Sequence, residues 1–272
     1  MHPILLDFVV PVVGLHVKLP SYGFFLALAF LSAIQLGHMR ALKKGYDPEM
    51  MGNFYVVLIL SSMVGARATF VYLEWPRFAN NLLEALMLWR GGLVFYGGLL
   101  GGFLGCYAFV RAHKISALAM ADLAAPCIAL GHAIGRLGCF FNGCCYGGPT
   151  HSSWFGVAFP FTTNDLVLRH PTQLYESAGL VLLVWWLSRL FWRPHRPGMV
   201  GVAYALLYAP LRFGVEMLRD DPRGGFFWGL SPSQVGSIVA LSAGLVVWAL
   251  MVRFQRVEEA RIVEPEVGAA KP

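Results

Sequence analysis

Charge is scarce in this chain: 13% of its 272 residues are Asp, Glu, Lys or Arg. Soluble domains carry about a quarter, so this composition does not furnish a water-facing surface of ordinary size, and a soluble globular enzyme is excluded. Acidic residues are scarcest, 15 against 21 basic ones, for a formal net charge of +6. The first stretch, "MHPILLDFVVPVVGLHVKLP", lacks a basic n-region and a clear cleavage site and holds Asp7 and internal prolines. It does not read as a signal peptide. Repeats and low-complexity blocks are also missing, so one domain over 1–272 is expected. The five cysteines include Cys139, Cys144 and Cys145, but no second pair. C-x4-C-C is a weak match to zinc spacing, so no metal is expected, and no soluble cofactor.

What the chain does have is apolar sequence, 57% hydrophobic with a mean hydropathy of +0.60. Seven runs read as spans: Ser21–Met39, Asn53–Leu73, Gly92–Ala112, Ala117–Gly135, Gln173–Trp192, Gly198–Leu218 and Pro232–Val252. Each is about 20 residues, enough to cross a hydrocarbon core of roughly 30 Å. The expected fold is all-α and polytopic. Residues 1–20 are expected as an interfacial segment, 136–172 as an outer loop and 253–272 as a polar cytoplasmic tail.

Lys and Arg set the orientation. With the N-terminus outside, the inner side holds Arg40, Lys43, Lys44, Arg111, Lys114, Arg189, Arg193, Arg196, Arg253, Arg256, Arg261 and Lys271. The outer side holds fewer: Lys18, Arg77, Arg90, Arg136, Arg169, Arg219 and Arg223. The C-terminus is then cytoplasmic. Topology and attraction to anionic lipid account for the basic balance, and no nucleic-acid partner is needed.

Ionisable side chains inside spans are costly and by default face an interior or a functional site. At 1.5 Å per residue, Arg67 lies about 21 Å above the inner end of its span, and Arg212 lies at a similar height. Tyr96, His132, Arg136 and Glu176 also fall in the outer half, so these six side chains are expected to converge. On span six, Tyr208, Arg212, Glu216 and Arg219 share one helical face. An Arg–Glu pair there either lets a charge cross the membrane or aims a guanidinium at an anion, whose oxygens its planar fork matches. Glycines in "FYGGLLGG", Gly97 and Gly98 among them, signal close helix packing or a close approach to ligand.

"GRLGCFFNGCCYGG" (135–148) places Arg136 ahead of the three cysteines in a glycine-rich stretch. It reads as an outer-face turn that presents Arg136 to an anionic headgroup, with cysteines that pack as free thiols or form a disulfide. Its "GRLGCFFNG" resembles the Gly-Arg-x-Gly-Asn-Phe-x-Asn-Gly signature of the prolipoprotein diacylglyceryl transferase family. "SYGFFLALAF", "GLVFYGGLLGG", "RHPTQLYES", "LRFGVEMLRDDP" and "LSPSQVGSI" follow the family's order, from about residue 20 to residue 250.

The resemblance implies an inner-membrane enzyme of bacteria. Such an enzyme moves the diacylglyceryl group of phosphatidylglycerol onto the lipobox cysteine thiol of a preprolipoprotein. It further implies that Arg136, Arg212, Tyr22, Asn142 and Tyr208 bind phosphatidylglycerol, with His170 and Glu176 in support; the depth of Arg67 adds it to the same lipid site, and Gly97 and Gly98 support a close approach of backbone. Catalysis is expected from Arg212, Glu216 and a base. Tyr96 stands where the family has a histidine, Cys139 where it has an asparagine, and Cys144 where it has a glutamate. His132, four residues before Arg136, is the favoured base and Tyr96 the other candidate. Two other readings stay open: a non-transferring phospholipid-binding membrane protein, and a lipid transferase that acts on another thiol.

Overall fold

The structure is a computed structural model that describes residues 3–10, 15–79, 81–87, 91–152, 154–220 and 229–263. Arg90, Arg223 and Lys271, used above for orientation, lie outside the described residues. The chain is mostly helical. The short α3 (Trp75–Phe78) follows α2, and the long helices are α1 (Ser21–Lys43), α2 (Pro48–Leu73), α4 (Phe95–Ala112), α5 (Ala117–Asn142), α7 (Thr172–Trp192), α8 (Met199–Met217) and α9 (Pro232–Val263). Each overlies one of the expected apolar runs. Five of them, α1, α2, α5, α7 and Pro232–Arg253 of α9, are long and apolar enough to cross a membrane. The glycines of α4, and Arg212 with Glu216 in α8, dilute the apolar character of the other two.

The outward faces confirm the environment. Leu31, Val64, Phe103 and Leu182 are each about two-thirds exposed, whereas Arg67, Glu176 and Glu216 are buried. In water the hydrophobic effect produces the reverse arrangement. Apolar residues outside and charges inside mark a multi-pass membrane protein.

Two expected boundaries change at the level of elements, and the N-terminal part gains detail. Within it, β1 (Ile4–Val10) pairs antiparallel with β2 (Leu15–Pro20). Valine- and leucine-rich runs on either side of a proline favour pairing. Span four does not stop at Gly135: α5 continues to Asn142, because glycine weakens a helix without ending it. The stretch from 136 to 172 is therefore helix first. It then contains β3 (Val157–Ala158), α6 (Pro160–Thr163) and β4 (Leu168–Arg169), with β3 antiparallel to β4. At the other end, α9 runs on to Val263, so the polar stretch that begins at residue 253 is helical in its first part.

Contacts divide the chain into two compact units. The first comprises residues 1–33 and 124–272. There Phe25 of α1 stacks on Phe141 of α5 at 5.0 Å, and the Ser177 hydroxyl of α7 donates to Ala133 O of α5 at 2.9 Å. Gly179 of α7 lets Leu211 of α8 approach, and Gly244 of α9 lets Leu206 of α8 approach.

The second unit comprises residues 34–123, and its spine is α2 against α4. A Cβ built on Gly65 would lie 2.8 Å from Gly101 Cα, and one on Gly101 would lie 2.9 Å from Gly65 Cα. Gly97 and Gly102 meet Thr69 and Ser62 in the same seam. Gly98 faces Ser62 O and Ala66, so the glycines of "FYGGLLGG" serve helix packing.

Candidate active site

Glu176 is the centre of the polar cluster in the first unit. It sits one turn into α7, 1% exposed, and α5 and α8 both direct side chains at it. Arg136 of α5 places Nε 2.9 Å from Oε2 and donates from Nη2 to Oε1 at 3.2 Å. Arg212 of α8 donates from Nη1 to Oε2 at 3.5 Å. The Tyr208 hydroxyl donates to Oε1 at 2.9 Å, and His132 Nε2 stands 3.5 Å from the same oxygen. The His132 ring meets Tyr208 edge-on at 5.2 Å. One carboxylate thus gathers two guanidiniums, a phenol and an imidazole from two neighbouring helices.

Arg212 has a second set of partners. Its Nη2 lies 2.7 Å from Glu216 Oε2 and donates to Ser233 Oγ of α9 at 2.9 Å. The i, i+4 pairing read from the sequence is formed. Glu216 accepts from Ser231 Oγ at 2.6 Å and lies 4.0 Å from Arg219. Ser231 and Ser233 escape a sequence reading because serine near a helix start reads first as a cap. Ser231 also plays that part, accepting from Gln234 N at 3.2 Å.

Beyond α5 the chain turns sharply at Gly143 and Cys145, with φ of 77° and 67°. Two side chains from the first turn of α7 hold this turn. Thr172 Oγ1 donates to Cys145 O and Gln173 Nε2 to Cys144 O, both at 2.6 Å. His170 adds backbone bonds to Gly147 and Gly148, and its Nδ1 lies 3.2 Å from the Tyr175 hydroxyl. His170 thus braces the turn.

All three cysteines of the turn are free thiols, and their sulfurs lie within 4.8 Å of one another. Bonds from the Cys139 and Cys144 thiols hold the Cys145 thiol far below its ordinary range against the effect of burial, with help from Arg219 and Arg136. Asn142 bonds to Cys144, and Tyr22 of α1, 43% exposed, lies beside Gly138.

The sequence places Arg136 in an outer turn, but it stands inside α5, one turn before Cys139. Four of the six side chains expected to converge meet within the first unit: His132, Arg136, Glu176 and Arg212. Arg67 and Tyr96 belong to the second unit. Arg67 donates Nε to Ala85 O at 2.7 Å and Nη1 to Gly91 O and Gly92 O at 2.5 and 3.1 Å. Its Nη2 donates to Glu84 O and Met87 O at 2.8 and 3.2 Å. A guanidinium has five N–H groups, and here every one serves a backbone carbonyl. Tyr96 is 73% exposed and packs edge-on against Phe95.

The sequence matches the family described as prolipoprotein diacylglyceryl transferase over residues 10–250. The chain belongs to that family. A phosphatidylglycerol–prolipoprotein diacylglyceryl transferase of Clostridium tetani is 34% identical over 234 residues, covering 85% of this chain and 92% of that protein. One of Chromohalobacter salexigens is 34% identical over 255 residues, covering 90% and 92%. One of Thermosynechococcus vestitus is 33% identical over 235 residues, covering 84% and 87%. The match to the prolipoprotein diacylglyceryl transferase family takes in every residue of the Glu176 cluster.

Proposed function

We propose that this protein transfers the diacylglyceryl group of phosphatidylglycerol to the lipobox cysteine thiol of preprolipoproteins, in the bacterial inner membrane. The observation that carries this reading is the buried cluster of Arg136, Arg212, Tyr208 and His132 around Glu176, in a protein whose outer surface suits lipid.

Arg136 and Arg212 take the headgroup phosphate. Two forked cations from different helices match a phosphodiester, and Arg136 Nη1 makes no hydrogen bond among the described residues. Tyr208, Tyr22 and Asn142 contribute to the lipid site. In the reaction, His132 accepts the proton of the lipobox thiol, since only the thiolate is nucleophilic. The sulfur then attacks the glycerol carbon that bears the phosphate. A C–S bond forms, the C–O bond breaks, and glycerol phosphate leaves with the electron pair. The arginines stabilise the charge on the departing phosphate, and Glu216 with Ser233 keeps Arg212 aligned. Arg67 is assigned to holding the 84–92 segment, because its donors are all in use. Tyr96 remains the alternative base.

The chain is proposed to cross the membrane seven times as one integral domain, N-terminus outside and C-terminus in the cytoplasm. At the cytoplasmic end of α7, Arg189 stacks on Trp185 at 4.1 Å, the aromatic–basic pairing typical of an interface.

Complementation tests the assignment. Cells depleted of their own diacylglyceryl transferase would express this chain, and lipidation of a reporter lipoprotein would be read by gel shift and mass spectrometry. Lipidation is expected, and Arg136→Ala and Arg212→Ala should abolish it. Folded, membrane-inserted protein that lipidates nothing would overturn the proposal. Full activity in His132→Ala together with none in Tyr96→Phe would move the base to Tyr96.

A further inference from the structure

The three-thiol cluster at the end of α5 takes no part in the chemistry above, and its geometry has its own meaning. Cys139 lies on the last turn of α5, while Cys144 and Cys145 follow Gly143 in the turn. The cluster satisfies three conditions for a metal site. The first is convergence: each residue offers one sulfur, and the three sulfurs lie within 4.8 Å of one another. With metal–sulfur bonds of about 2.3 Å, three sulfurs in a plane around one ion stand about 4 Å apart. The observed separations of up to 4.8 Å are close to that spacing.

The second condition is a frame that does not depend on the ion. Cys144 N donates to Cys139 O at 3.1 Å, and Gln173 and Thr172 hold the carbonyls of Cys144 and Cys145. In an extended chain two adjacent side chains point apart. Here Cys145 adopts a left-handed φ of 67°, and both of the adjacent sulfurs meet Cys139. The third is ligand type. All three sulfurs are free, and no histidine, aspartate or glutamate joins the group among the described residues. Thiolate ligands select soft ions. A structural zinc site takes four ligands, whereas three sulfurs suffice for a trigonal monovalent ion.

We propose that Cys139, Cys144 and Cys145 form a three-thiolate binding site for one Cu(I) ion, framed by the turn between α5 and α7. The sequence spacing gives only a weak hint of it, because C-x4-C-C becomes a triangle only once the helix end and the turn are formed.

The test uses the full-length protein, purified reduced in detergent and titrated with Cu(I) against a chromophoric Cu(I) chelator. One equivalent should bind, and a Cu(I)–thiolate absorption band should appear in the ultraviolet. Loss of a group beside the ligands already lowers metal affinity by about 10–100-fold, so Cys139→Ser, Cys144→Ser and Cys145→Ser should each weaken binding by at least about 100-fold. Cys106→Ser and Cys127→Ala should bind as the unaltered chain does. A second readout needs no variant: in the unaltered protein, Cu(I) should shield these three cysteines from maleimide, as mapped by peptide mass spectrometry. Three results would each overturn the proposal. They are unchanged maleimide labelling at saturating Cu(I), binding that survives in the three variants, and recovery of a disulfide among these cysteines from the reduced, Cu(I)-loaded protein.

Discussion

Glu176→Gln would keep the size of the central side chain and remove its charge, leaving the guanidiniums of Arg136 and Arg212 without the carboxylate they share. Breaking a buried ion pair by removing one partner costs about 3–5 kcal/mol, so a thermal melt in detergent should show a large loss of stability along with loss of lipidation. Tyr208→Phe deletes one hydroxyl bond to the same oxygen and should cost only about 1 kcal/mol, with partial activity retained. Arg67 should behave differently from both. Arg67→Lys replaces five donors with three and leaves carbonyls of the 84–92 segment unsatisfied, each at about 1–3 kcal/mol. The unfolding temperature should fall steeply, while the folded fraction keeps its KM for phosphatidylglycerol. A higher KM without loss of stability would return Arg67 to the lipid site. The contrast also marks what the sequence reveals. The Arg212–Glu216 pair is legible because helical periodicity dictates it. The role of Glu176 is not, because its partners stand 40 and 36 positions away and only packing selects them.

At the scale of elements, the seam of α2 and α4 makes a clear test. Gly101→Ala would put a methyl group against the backbone at Gly65, and overpacking of this kind costs typically about 1–3 kcal/mol. The expected result is a lower unfolding temperature, and Gly23→Ala, which has open space around its Cβ, is the control. The turn after α5 invites a second test. Thr172→Val would leave Cys145 O without its 2.6 Å donor, and maleimide should then label the three cysteines of the turn faster. Helix positions were legible throughout, since an apolar run of span length leaves few alternatives in a bilayer. Helix ends were not. Gly135, Gly138 and the cysteines looked like the start of a loop, yet α5 continues because Phe141 finds a stacking partner in Phe25, a contact absent from any local pattern.

For the whole molecule, the inward excess of Lys and Arg leads to a direct expectation. A fluorescent-protein fusion after residue 263 should fluoresce, and a periplasm-dependent phosphatase fused there should be inactive. Fusions after Lys114 and Pro194 should give the same result, and one in the 150–165 region the opposite. A reversed pattern would refute the seven-span orientation while leaving the helices themselves in place. Composition alone makes the membrane character legible, because so little charge leaves no other home for the apolar surface. The division into two compact units was invisible in the sequence, since α1 and α5 each run through both without a break in pattern.

The shared carboxylate also has a kinetic consequence. If Arg136 and Arg212 clamp the headgroup, Glu176 is a resident competitor that an arriving phosphate must partly displace. The guanidiniums have already been stripped of water and oriented during folding, so little reorganisation remains to be done when lipid arrives. Binding is correspondingly weaker, because each new contact replaces an old one. For a substrate that is itself a membrane lipid and reaches the site from the surrounding bilayer, modest affinity is no handicap. The carboxylate would then be in place to reclaim both arginines as glycerol phosphate departs, and Glu176→Gln should accordingly show stronger inhibition by glycerol phosphate in any residual activity.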